Sequence, residues 1–128
     1  RSGKREMNYF SEKELSCTHC GVYKFDEAFL ELLNQIREDC GFPLPVTSGY
    51  RCPEHPLNVE KAAAGKPLGA HADGLAVDLG VSYSSAHKLL EVACAHGIPR
   101  IGINQKGDSR FIHLDYDLSL PNPALWSY

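Results

Sequence analysis

A chain of 128 residues is long enough for one domain with a single core, which buries roughly two-thirds of its unfolded surface without needing staples. Hydrophobic residues make up 43% and charged residues 23%, ordinary globular proportions, and a net charge of −3 gives no basic field to attract nucleic acid. There is no run of about eighteen apolar residues for membrane insertion, and "RSGKREMNYF" lacks the apolar stretch of a signal peptide. The expectation is a monomer made in the cytoplasm. Residues 1–6 precede the lone methionine, Met7, and read as a tail, a linker or an expression remnant, leaving 7–128 as the domain.

In "FSEKEL", Ser11 followed by Glu14 forms a capping-box pattern that starts a short helical turn. "CTHCG" interrupts it. The chain has five cysteines, Cys17, Cys20, Cys40, Cys52 and Cys94, an odd count that argues against a complete disulfide framework. Cys17 and Cys20 with His19 between them make half of a structural zinc site if Cys40 or Cys52 comes close. Without a second such pair the favoured reading is a turn holding small reduced thiols. No thioredoxin-like βαβ pattern surrounds them to suggest a redox dithiol.

From Asp26 to Cys40, Phe29, Leu30, Leu33 and Ile36 recur at helical spacing and Gly41 supplies the stop. "FPLPVTSGYRC" then predicts a short strand around Val46 and Thr47, with Arg51 just past its end. Pro53 to Pro67 reads mostly as an irregular excursion, with a helical turn or two in "NVEKAAAGK". "LAVDLGV" is a buried strand candidate, and Ser82 to His96 is a second helix ended by Gly97, with His96 placed to complement its dipole. "RIGIN" and "RFIHLDY", joined by "QKGDS", predict two antiparallel strands. The order implies an α+β domain, with helices packed against a small, largely antiparallel sheet.

"GAHADGLAVDLG", residues 69–80, places His71 before a strand and Asp78 within it. Alternation puts Ala76 and Asp78 on one face and Leu75, Val77 and Leu79 on the other, and a buried carboxylate needs a partner there. In "RFIHLDYD", Phe111, His113 and Asp115 share one face. If the two strands are neighbours, His71, Asp78 and His113 converge on one point at the sheet face. Three nitrogen and oxygen donors plus water is the catalytic zinc arrangement, whereas structural sites are usually closed by four cysteine-rich ligands. The plainer alternative is a hydrogen-bonded strand histidine and an aspartate that merely shapes a turn.

"GAHADGLAVDL" resembles the family of zinc D-alanyl-D-alanine carboxypeptidases and L-alanyl-D-glutamate endopeptidases. That family carries Ser-x-His-x-x-Gly-x-Ala-x-Asp and a distal His-x-His, His-x-Asp or acid-x-x-His. His71, Gly74, Ala76 and Asp78 match at the right offsets, and "FIHLD" resembles the distal His-x-Asp. "SGYRC" resembles the upstream element with a substrate-binding arginine, and Trp126 falls where many members have tryptophan. The likeness spans Phe10 to Trp126.

The resemblance implies zinc held by His71, Asp78 and His113, a peptidoglycan stem peptide as substrate, and Arg51 on a substrate carboxylate or a developing oxyanion. It also implies action at the cell wall, by a phage-released, virion-associated or exported enzyme of lysis or remodelling. Two positions depart from the pattern. Gly69 stands where the family has serine. Arg110 and Phe111 stand where members carry an acid or histidine as base. Asp115 is the leading substitute base, or else an acid orienting His113 through its other nitrogen. Asp108 is the weaker candidate, and Asp73 reads as a turn former. His55 reads as a solvent-facing loop residue, while Trp126 and Tyr128 either close the core or meet ligand. The rival reading is a zinc-binding recognition module without catalysis, as in hedgehog signalling domains of similar fold.

Overall fold

The computed structural model describes residues 8–66 and 68–128, so the tail expected over 1–6 lies outside the described residues. Among the described residues four helices and five strands follow in the order α1 Glu12–Leu15, α2 Glu27–Cys40, β1 Val46–Ser48, α3 Pro56–Ala63, β2 Ala76–Leu79, α4 Tyr83–Ala95, β3 Arg100–Asn104, β4 Phe111–Asp115 and β5 Ala124–Ser127. A single 3₁₀ turn over Ala70–Asp73 precedes β2. No helix among the described residues is long and apolar enough to cross a membrane.

Local signals start the helices. Ser11 Oγ accepts from Glu14 N at 3.2 Å while the Glu14 carboxylate accepts from Ser11 N at 3.1 Å, completing the capping box. Asp26 caps α2 by accepting from Phe29 N at 2.8 Å, and Gly41 ends it. Phe29, Leu30, Leu33 and Ile36 all turn inward, as their spacing predicts.

The sheet order is β1-β2-β4-β3-β5, antiparallel throughout except for the parallel β3–β5 pair. Val77 faces Leu114, and Leu79 faces Ile112, in the β2–β4 register. These four join Leu33 and Ile36 of α2 and Leu89 and Ala93 of α4 in the main core. One sheet face is thereby committed to the helices. The other carries the alternate residues, among them the buried polar Asp78, His113 and Asp115.

Two elements differ from expectation. The stretch after Pro53 is more ordered than a loop with a turn or two, because α3 starts at Pro56, a residue whose fixed φ suits the first helical position. His55 caps it by accepting from Leu57 N at 3.2 Å through Nδ1, and its Nε2 meets Thr18 Oγ1 at 3.3 Å. His55 is thus a structural cap rather than a free loop histidine. The second element, β5, pairs with β3 from Arg100–Ala124 to Ile103–Ser127 and carries Trp126 onto the polar face. His96 sits at the end of α4 as its position predicts, and its Nε2 lies 2.6 Å from Asp39 Oδ2, tying α4 to the end of α2.

Candidate metal centre

Register builds the site. Ser48 is opposite Asp78, Asp78 opposite His113, His113 opposite Gly102, and Gly102 opposite Trp126, one row across all five strands. His71 enters from the 3₁₀ turn just before β2. His71, Asp78 and His113 are all buried, and each offers one ligand atom to a common point. His71 Nε2 lies 3.2 Å from His113 Nδ1 and 3.3 Å from Asp78 Oδ1, and His113 Nδ1 lies 2.9 Å from the same oxygen. Donors around a tetrahedral zinc, at bond lengths of about 2.0–2.2 Å, stand about 3.4 Å apart, close to this triangle.

Each imidazole is fixed from behind. His71 Nδ1 donates to Gly49 O at 2.7 Å, and His113 Nε2 donates to Asp115 Oδ2 at 2.6 Å. These bonds set the tautomers, so both rings turn a lone pair inward toward a carboxylate oxygen. With both rings neutral, three acceptors face one another in a buried space, and a metal cation or a proton between them relieves the repulsion. The electrostatics follow. Burial pushes Asp78 up, but hydrogen bonds from His113 and His71 outweigh it and hold the carboxyl well below its usual range. Burial lowers His71, whereas at His113 burial is overcome by hydrogen bonds to Asp115 and Asp78, which raise it.

Arg51 stands at the second oxygen of Asp78, with Nη2 3.3 Å from Oδ2, and its Nε donates to Ser48 Oγ at 3.0 Å. Its backbone N donates to His71 O at 3.2 Å, which ties the Arg51 segment to that of His71. Asp115 lies behind the triangle, 1% exposed. Its Oδ1 accepts from Asp117 N at 3.2 Å and pairs ionically with Arg100 Nε at 2.9 Å while Oδ2 holds His113, so both oxygens are committed. Asp108 lines a separate groove with Tyr83, Arg110 and Phe111 that none of the three donors reaches. Asp73 lies within the 3₁₀ turn; its hydrogen bond with Asp117, and then burial, raise it to about 6, while the same bond holds Asp117 low.

Gly102, Arg100 and Lys61 had no sequence signal assigned to them. Gly102 has no side chain because a Cβ there would stand 2.5 Å from Trp126 Nε1. The indole thus lies over the sheet, 5.3 Å from the His113 ring and under the Arg100 guanidinium. Lys61, on α3, donates to Leu68 O at 3.3 Å, and burial followed by the nearby Arg51 charge lowers its pKa.

Gly69 has φ 89° and ψ −177°, a region essentially reserved for glycine. That explains the missing serine. Restoring it as Gly69→Ser is expected to cost about 1–3 kcal/mol of backbone strain, read as a lowered Tm with no gain in activity.

The cysteines form a separate group. Cys17, Cys20 and Cys52 bring their sulfurs together, whereas Cys40 is buried in the main core, and all five thiols are free. At Cys17 burial opposes ionisation, but backbone N–H groups of Cys52, Cys20 and His19 hold the thiol down to about 7. At Cys52 burial and the neighbouring thiols push it up to about 11.

Two imidazoles and one carboxylate, oriented by partners behind them, are a donor set that could hold a divalent metal. A family model described as Peptidase M15 matches residues 8–115, and the chain belongs to that family. The peptidases of this family are zinc enzymes, and the chain is a zinc metallopeptidase by that membership. No curated protein and no solved structure matches the chain.

Proposed function

We propose that the domain hydrolyses an amide bond in peptidoglycan stem peptides, with His71 Nε2, Asp78 Oδ1 and His113 Nδ1 holding one catalytic zinc. The observation that carries this reading is the triangle of inward-facing acceptors, each ring anchored by a partner outside it. When bound, zinc supplies a Lewis acid for the scissile carbonyl and lowers the pKa of water toward about 7.

The chain's own groups do the rest. Arg51 commits Nε and Nη2 to Ser48 and Asp78, which aims a forked cation at the rim of the site, where it meets a substrate carboxylate or a developing oxyanion. Asp115 acts as a positioning residue. A general base must come within hydrogen-bond reach of the proton it takes. Both Asp115 oxygens are instead occupied by His113, Arg100 and a backbone amide. Trp126 walls the site on the β5 side.

This substrate places the enzyme's work at the cell wall, in lysis or remodelling, whether it is phage-released, virion-associated or exported. A second reading, a zinc-binding recognition module, is favoured by Arg110 and Phe111 at the positions of the family's usual base. A panel of stem peptides incubated with the zinc-loaded protein separates the two. New amine termini identify a peptidase, and mass spectrometry of the products assigns a terminal or an internal bond. If Arg51 holds a terminal carboxylate, amidating that terminus raises KM as Arg51→Ala does. Zinc bound at the triangle with no new amine on any peptide would leave the recognition module.

A further inference from the structure

Away from the triangle, the "CTHC" turn after α1 meets the segment after β1. Cys17, Cys20 and Cys52 place their sulfurs within 4.8 Å of one another. Cys17 and Cys52 are buried with Tyr50 in a small cluster separate from the main core. The turn has the shape of a metal knuckle. Gly21 N donates to Cys17 O at 2.8 Å and Cys17 N donates to Val22 O at 2.9 Å. The backbone N–H groups of His19 and Cys52 point at Cys17 Sγ, at 3.4 and 3.3 Å. Such donors favour a sulfur that carries negative charge.

His19 stands outside this three-sulfur group but is exposed beside it, within reach as a fourth donor. Its Nδ1 lies 3.5 Å from Cys52 Sγ. For tetrahedral zinc with sulfur at about 2.3 Å and nitrogen at about 2.0–2.1 Å, neighbouring sulfur and nitrogen donors stand about 3.6 Å apart. We propose that Cys17, Cys20, Cys52 and His19 form a second metal site, a closed structural zinc centre of three thiolates and one imidazole.

The donor chemistry separates it from the triangle. Soft thiolates and four protein ligands suit a structural ion, whereas two imidazoles and a carboxylate leave a position open. Zinc binding would release the thiol protons to the buffer and join the N-terminal turn to residue 52. Residues 49–51 lie between that link and the triangle. Gly49 O anchors His71, and Arg51 contacts Asp78. The second ion thereby braces the segment that positions both, a role that does not depend on which peptide is cut.

The test is metal content and cobalt spectroscopy on protein purified with reductant. Wild type is expected to bind two zinc ions per chain, and a His71→Ala/His113→Ala variant one. Cobalt loaded into that variant should give the strong sulfur-to-cobalt charge-transfer absorption of thiolate ligation. Cys20→Ser, at an exposed position, should lose one zinc while keeping the other, and His19→Ala should shift the cobalt d–d bands. If the histidine variant fails to fold, Cys20→Ser against wild type gives the same comparison. One zinc per chain in wild type with unchanged content in Cys20→Ser would overturn the proposal. So would a disulfide among these cysteines in the purified protein, or cobalt absorption without a sulfur band.

Discussion

Replacing His113 with alanine is expected to abolish zinc-dependent hydrolysis while leaving the fold in place. His113 Nδ1 is the vertex nearest Asp78 Oδ1, and its loss leaves two donors, His71 and Asp78, too few to hold a catalytic ion against solvent. Metal polarisation is worth several kcal/mol of transition-state stabilisation. At about 1.4 kcal/mol per decade this converts to a fall of roughly 10³-fold or more in kcat/KM. Leu114 and Ile112, the neighbours of His113 on β4, face the helices and keep their packing, so circular dichroism should change little. Activity retained within tenfold would remove His113 from the metal site.

Asp115→Asn should have the second-largest effect, and it separates two roles for this acid. The carboxylate stands between His113 Nε2 at 2.6 Å and Arg100 Nε at 2.9 Å, almost wholly buried. Breaking a buried ion pair by removing one partner's charge costs about 3–5 kcal/mol, which predicts a clearly lowered Tm. Loss of a partner that orients a ligand histidine typically reduces metal affinity about 10–100-fold. A positioning residue therefore predicts weaker zinc binding by chelator competition, with kcat preserved once zinc is saturating. A general base would instead lose about 10²–10⁴-fold in kcat at saturating zinc. The split between affinity and turnover decides between them.

Much of this arrangement is legible in the chain. Periodicity and caps mark α2 and α4, and strict alternation assigns Val77, Leu79, Ile112 and Leu114 to one face and Asp78 and His113 to the other. Once β2 and β4 are neighbours, register brings Asp78 and His113 together, and the turn before β2 adds His71. What stays hidden depends on tertiary path. Cys52 is 35 residues from Cys17, so no local spacing shows that the two sulfurs meet, and the turn reads as isolated thiols. His55 is not among the usual cap residues, so the start of α3 is easily read as loop. Gly102 carries meaning only through Trp126, which arrives from a strand whose parallel pairing with β3 has no sequence signature. Gly69 looks like a lost hydroxyl until its φ of 89° shows a backbone serine would strain.

The two ends of the Asp78 carboxylate summarise the chemistry of the site. Oδ1 faces two lone pairs and calls for a cation; Oδ2 faces Arg51 and orients it. A buried polar cluster without metal would instead share a proton among Asp78, His71 and His113, so metal content separates the two arrangements. The decisive measurement is the appearance of new amine termini when metal-stripped protein is given zinc in the presence of purified stem peptides. Hydrolysis that rises with zinc occupancy, stops on chelation and is absent in His113→Ala is the expected result. Zinc bound at His71, Asp78 and His113 with no peptide cleaved, or cleavage that persists after the metal is removed, would contradict it.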